Sequence, residues 1–288
     1  MLILKNDKLT IKISDIGAEI KSITTPDGVE YMWQGAPNDW EGTAPNLFPI
    51  VGRLREGYYT VDGTRYDMDI HGFSWTSEMQ LVVNSDTYAR FELISNDVTQ
   101  KQYPYDFVYT VEYTLEDNAL ITRYGVRNIG NKDMYYSLGA HPGFNVPFTQ
   151  SGNFDQYYLE FDNECKPLGY TVTEDGFITG DREEFSLIMD KILPLAGQEI
   201  FVPTVFLENT SKSVTLKCNR TRRKVTLEFS DFKYLALWHE DKGPYICIEP
   251  WTGTPDKVGD SREIKDKNAM TTIKPNEAHG YSLTIKIN

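Results

Sequence analysis

Phe107-Val108-Tyr109-Thr110-Val111-Glu112-Tyr113-Thr114-Leu115 decides the fold class. Phe107, Tyr109, Val111, Tyr113 and Leu115 alternate with Val108, Thr110, Glu112 and Thr114, a period of two. Successive side chains of a strand point to opposite faces, so the pattern describes an antiparallel strand with one face in a core. Outward from it, the alternation recurs in Leu9-Thr10-Ile11-Lys12-Ile13-Ser14 and in Leu283, Ile285 and Ile287. Turn chemistry separates the runs: Pro26-Asp27-Gly28, Asp62-Gly63, Glu116-Asp117-Asn118 and Asn128-Ile129-Gly130-Asn131. Asp62-Gly63, between Tyr58–Val61 and Thr64–Met68, predicts a two-residue hairpin. Further strands are predicted at Glu78–Val83, Tyr88–Ile94, Ala119–Arg127, Tyr157–Phe161, Ser213–Lys217, Lys224–Phe229, Tyr234–Trp238 and Tyr245–Glu249. Helical signal is poor, with one turn over Asp97–Gln102 and a short segment over Asp181–Met189. Pro167–Phe201 has weak periodicity and reads as a long excursion. No repeat, low-complexity tract or Gly/Ser linker divides the chain. The expectation is an all-β protein with very little helix, one large antiparallel β-sandwich domain over residues 1–288.

Composition narrows the function. Hydrophobic residues make up 40% of the 288, enough for a sizeable core, and 18 Tyr, 14 Phe and 5 Trp favour pleated strands and flat ligand surfaces. A formal charge of -13 repels phosphate backbones, which argues against nucleic-acid and anionic-membrane partners. Cys165, Cys218 and Cys247 are odd in number and lack C-x-x-C spacing, as expected of reduced thiols in a cytoplasmic protein. No run of about 20 apolar residues and no signal peptide is visible.

Chemistry concentrates in three places. In Leu138-Gly139-Ala140-His141-Pro142-Gly143-Phe144-Asn145-Val146-Pro147, Pro142 biases His141 towards an extended backbone and Gly143 allows a turn, so an imidazole is held rigidly at a strand exit. Glu249 ends the apolar run Tyr245-Ile246-Cys247-Ile248; partial desolvation there would raise its pKa towards that of a general base, a surface ion pair being the plain alternative. Gly52-Arg53 and Ile70-His71-Gly72-Phe73 set a guanidinium and a second imidazole among small residues. Phe73, Phe144 and Trp251 adjoin these groups and could stack on the C–H face of a sugar, although core packing is the commoner use. His239-Glu240-Asp241-Lys242-Gly243 starts like a zinc helix but has no second histidine, and His279-Gly280 reads as a turn. Arg220-Thr221-Arg222-Arg223-Lys224 reads as the basic end of a hairpin. Dinucleotide, phosphate-loop, nucleophile-elbow and clustered metal-ligand motifs are missing, so no cofactor and no metal is expected.

Three stretches, taken in order, resemble the aldose 1-epimerase (galactose mutarotase) family, in its shorter bacterial branch associated with lactose-utilisation genes. They are Asn46-Leu47-Phe48-Pro49-Ile50-Val51-Gly52-Arg53 with His71-Gly72-Phe73, then Gly139–Pro147, then Cys247-Ile248-Glu249-Pro250-Trp251-Thr252-Gly253-Thr254-Pro255-Asp256. The resemblance runs from Leu2 to Ile285. It implies a β-supersandwich and an isomerase that interconverts the anomers of an aldohexose. By motif, Glu249 is similar to the family's general base and His141 to its general acid. Arg53 and His71 resemble residues that position the sugar, with Asn46, Phe73, Phe144 and Trp251 as further candidate contacts. Galactose-specific members carry an aspartate before a strand. Phe201-Val202-Pro203-Thr204-Val205-Phe206, which aligns there, has none, and Asp190 lies upstream. Trp75 stands where related members often have a basic residue. A hexose 6-phosphate substrate would call on Arg53 and Arg55, and a non-catalytic sugar sensor is the rival from another class. The expected partner is a small-molecule sugar, with the chain a monomer or homodimer.

Overall fold

The structure is a computed structural model that describes residues 1–36, 39–149, 152–197, 201, 204–240 and 243–288. Val202 and Pro203 of the aspartate-less stretch, and Asp241 and Lys242 of the zinc-like stretch, lie outside the described residues.

Two large antiparallel sheets form the body. The nine-stranded sheet runs, in spatial order, Ile192–Pro194, Tyr157–Phe161, Ser213–Cys218, Lys224–Glu228, Ala278–Ile287, Ala119–Asn128, Phe107–Glu116, Tyr88–Ile94 and Gln80–Asn84. The eight-stranded sheet contains Ile178–Glu184, Leu168–Val172, Val205–Glu208, Tyr234–Trp238, Tyr245–Trp251, Gly139–Ala140 and Asn46–Leu47, with Gly143–Asn145 also paired to Tyr245–Trp251. A three-stranded sheet over Leu2–Lys5, Thr10–Ile13 and Ile20–Thr24 and the Tyr58–Val61/Thr64–Asp67 hairpin flank them. Regular helix among the described residues is confined to short 3₁₀ turns, and no helix is long and apolar enough to cross a membrane.

The opening stretch shows why the sheets meet. Phe107, Tyr109, Val111, Tyr113 and Leu115 are buried, while Val108, Glu112 and Thr114 are partly exposed. The buried row joins Ile246 and Ile248 of the eight-stranded sheet in one continuous core. Aromatic rings fill much of it, as where Phe48 lies flat on Tyr109 with centroids 4.6 Å apart. Such pairs add about 0.5–1.5 kcal/mol beyond the area they bury.

Strand Tyr245–Trp251 differs, because every one of its residues is buried. Its even side chains Ile246 and Ile248 enter the common core. Its odd side chains Tyr245, Cys247 and Trp251 pack into smaller aromatic clusters on the opposite face. Burial on both faces erases the alternation, so the sequence shows only an apolar run.

Three local expectations are corrected. Asp181–Met189 is not helical; Ile178–Glu184 is a strand paired with Leu168–Val172 at the edge of its sheet. Edge residues meet water on both faces, so they carry little periodicity. The Pro167–Phe201 excursion therefore contributes strands to both sheets. His279-Gly280 is no turn but part of Ala278–Ile287, where the Tyr136 hydroxyl lies 3.0 Å from His279 Nδ1.

Candidate active site

The site lies on the outer face of the eight-stranded sheet, and register builds it. Gly139 pairs with Trp251 and Gly143 with Cys247, which sets His141 opposite Glu249 across the same two chains. Glu249 is therefore not at a strand end, since its strand continues through Trp251. His141 Nε2 comes within 3.2 Å of Glu249 Oε2, and the two residues are 7% and 2% exposed. The approach lacks hydrogen-bond geometry: Glu249 Oε2 and His141 Nδ1 are both buried without a hydrogen-bond partner.

Gly143 opens a strand, not the expected turn. The need for glycine is space: a Cβ at Gly143 would meet Trp40 Cζ3 at 2.6 Å, and one at Gly139 would meet Trp251 Cδ1 at 2.4 Å. The two glycines thus make room for the Trp40 and Trp251 indoles. Trp40 stacks on the imidazole with centroids 4.9 Å apart, and Trp238 meets it edge-on at 5.9 Å.

Burial sets the electrostatics. Loss of water raises the Glu249 carboxyl well above its usual range, and the neighbouring Trp251 indole only partly opposes this. Burial lowers His141 to about 4, with a weak contact to its own backbone acting the other way. Both directions favour the neutral form of each group.

His71 adds a third group. Its ring meets His141 edge-on at 5.4 Å and Trp251 at 5.6 Å. The Gly52 N–H donates to His71 Nδ1 at 3.0 Å while the His71 N–H donates to the Gly52 carbonyl at 2.9 Å. The His71 backbone sits at φ 65°, a left-handed conformation uncommon outside glycine. Burial first, then the His141 and Arg53 charges, holds the His71 pKa well below normal. A neutral ring that accepts at Nδ1 carries its proton on Nε2, which leaves a fixed donor. Arg53 is exposed, and among the described residues its guanidinium forms no ion pair. Solvent reaches the site beside Arg53, His71, Trp40 and Trp238, none of which is fully buried.

Of the residues expected to contact a ligand, His141, Glu249, His71, Arg53 and Trp251 gather here, whereas three lie elsewhere. Asn46 donates to the carbonyls of Gly17 and Ala18 and to Tyr113 Oη, and accepts from Tyr124 Oη. Those bonds use its amide as a clasp between the turn at Gly17 and Ala18 and the nine-stranded sheet. Phe73 and Phe144 belong to the common core, Phe73 edge-on to Phe48 and Phe144 with no exposed surface. Both are corrected from ligand contacts to core residues. Trp40, Trp238 and Cys247 are neighbours the sequence did not single out. Trp238 shares parity with Tyr234 and Ala236 on the site face, but nothing local marks Trp40. The expectation of no clustered metal ligands holds only along the chain: across the strands, donor atoms of His141, Cys247 and Glu249 lie within 4.8 Å of one another. An open depression lined by Thr110, Glu112, Arg123 and Asp231 brings together no comparable set of groups.

Comparison with known proteins identifies the family. The family model described as aldose 1-epimerase matches residues 1–286. Protein LacX (chromosomal) of Lactococcus lactis subsp. lactis is 32% identical over 294 residues, covering 99% of this chain and 98% of that protein. A galactose mutarotase-like protein from Lactobacillus casei superimposes with a TM-score of 0.93 at 31% identity, covering 100% of both chains. A galactose mutarotase related enzyme from Lactobacillus acidophilus gives 0.95 at 28% identity, covering 100% of this chain and 97% of that one. The chain belongs to the aldose 1-epimerase family.

Proposed function

We propose that this protein is a mutarotase that interconverts the α and β anomers of an aldohexose by general acid–base ring opening. The observation that carries the reading is the buried His141–Glu249 pair, 3.2 Å apart yet left with unmet hydrogen-bonding capacity on each residue. Buried polar groups are nearly always bonded, and exceptions point to a ligand, a catalytic role or strain.

The pair's proton count suits the reaction. Ring opening needs one proton taken from the C1 hydroxyl and one delivered to the ring oxygen. A Glu249 carboxylate with a His141 imidazolium carries the same total charge as the neutral pair. Sugar hydroxyls bonded to Glu249 Oε2 and His141 Nδ1 would favour the charged form. Glu249 then accepts the C1 hydroxyl proton as His141 protonates the ring oxygen, the C1–O bond breaks and the carbonyl forms. Rotation about C1–C2 and the reverse transfers close the other anomer. Each proton-transfer contribution is typically about 10²–10⁴-fold. His71 offers a neutral Nε2–H donor and Arg53 a charged one to orient the ring. The three free thiols favour a reducing, cytoplasmic setting.

Anomer exchange of freshly dissolved α-glucose and α-galactose, followed by polarimetry or NMR, tests this reading. Acceleration over buffer is expected from the native protein and its loss from Glu249→Gln. Equal acceleration by both would overturn it, and saturable binding without acceleration would indicate a sensor. Competition by glucose 6-phosphate would move the substrate to a sugar phosphate.

A further inference from the structure

We propose that His141, Cys247 and Glu249 form a three-donor site for a thiophilic divalent cation, zinc foremost, whose occupancy blocks the acid–base pair. The blocking part rests on the mutarotase reading; the binding part does not.

Three observations support the site. The donors are a nitrogen, a sulfur and a carboxylate oxygen, all buried, with their ligand atoms within 4.8 Å of one another. Tetrahedral zinc bonds sulfur at about 2.3 Å and nitrogen or oxygen at about 2.0–2.2 Å, so its ligands stand somewhat under about 4 Å apart. A contraction of about 1 Å, within the reach of side-chain rotation, would close the set. Second, Glu249 Oε2 has no hydrogen-bond partner. Third, all three residues stand on one face of one antiparallel pair, Cys247 opposite Gly143 and Glu249 opposite His141, so the framework already converges. Nitrogen, sulfur and oxygen together select zinc or cobalt over magnesium or calcium, which take oxygen donors. The fourth position would face the solvent-accessible side near His71, left to water or a sugar hydroxyl. Cys247 itself, packed with Trp33 and Tyr245, has no part in the proposed proton transfers.

The test uses the full chain freed of metal with a chelator, then titrated with cobalt(II) chloride. The expected result is one equivalent bound, with near-ultraviolet thiolate-to-cobalt charge transfer and tetrahedral visible bands that zinc displaces. Cys247→Ala and Cys247→Ser should lose the charge transfer and bind zinc at least about 10-fold more weakly, while their circular dichroism shows the native fold. In the anomer-exchange assay, zinc should inhibit the native protein reversibly with EDTA. Both Cys247 variants should turn over at the native rate and resist zinc. Cobalt binding without thiolate charge transfer, or equal zinc affinity in the variants, overturns the site. Normal spectra with no mutarotation would leave the site standing and overturn the mutarotase reading instead.

Discussion

Two buried carboxylates near each other in sequence, Glu249 and Asp256, are treated with their partners in opposite ways. Asp256 and Lys267 are 4% and 7% exposed, and Lys267 Nζ donates to both Asp256 oxygens at 2.6 and 2.8 Å. The Arg55 N–H also donates to Asp256 Oδ2 at 2.9 Å. Each charge there is matched. Glu249 and His141, as deeply buried, approach to 3.2 Å but leave Oε2 and Nδ1 unbonded. A buried carboxylate with its bonds complete holds a loop in place. One with bonds missing is costly to the fold and is explained by what it does with a ligand.

The largest effect should come from breaking the unsatisfied pair. Glu249→Gln is expected to cut kcat by about 10²–10⁴-fold without lowering the urea midpoint, because the isosteric amide breaks no hydrogen bond at Oε2, which has no partner. His141→Ala should cost at least about 10²-fold in kcat with a smaller change in KM, and an effect confined to KM would reduce His141 to a substrate holder. Breaking the satisfied pair should do the reverse. Lys267→Met strands a buried carboxylate and is expected to destabilise the protein by about 3–5 kcal/mol in urea denaturation. The folded fraction should keep its turnover, and loss of turnover in fully folded Lys267→Met would erase the contrast.

The pH dependence of stability sharpens the comparison further. His141, lowered to about 4 from 6.5, binds fewer protons folded than unfolded. Its contribution is complete above pH 6.5 and is lost as pH falls towards 4. Glu249, raised well above 4.5, contributes most below that pH and loses its contribution as pH rises. Glu249→Gln should therefore gain stability relative to the native chain as pH rises above 4.5 while keeping the acid-side loss; parallel curves for both proteins would contradict this. The smallest effect is expected from Arg53→Ala: a roughly fivefold rise in KM with kcat little changed, measured by the concentration dependence of anomer exchange.

Legibility followed exposure. Strands with one wet face announced themselves, and Phe107–Glu116 is the plainest case. The Asp62-Gly63 hairpin formed over Tyr58–Val61 and Thr64–Asp67, one residue short of the expected end. Ile178–Glu184 was misread because an edge strand has water on both sides, and Tyr245–Trp251 gave no facing because it has water on neither. In the candidate site, residues adjacent in a motif take different places. Phe73 follows His71-Gly72 and Phe144 follows His141-Pro142-Gly143, yet both rings turn into the core.

By itself, the sequence determined the all-β class, most strand positions and the order of the His71, His141 and Glu249 stretches. Those follow from local rules: side-chain period, turn chemistry and the few residue types that titrate or hydrogen-bond usefully. Only the tertiary structure decided that His141 stands opposite Glu249 and that Trp40 covers it. It also decided that Cys247 joins them and that Asn46 serves as a clasp. Cross-strand register sets these neighbours, and the pairing of 139–143 with 247–251 depends on contacts between segments more than a hundred residues apart. Alternation says which face a side chain takes; it does not say which strand lies beside it.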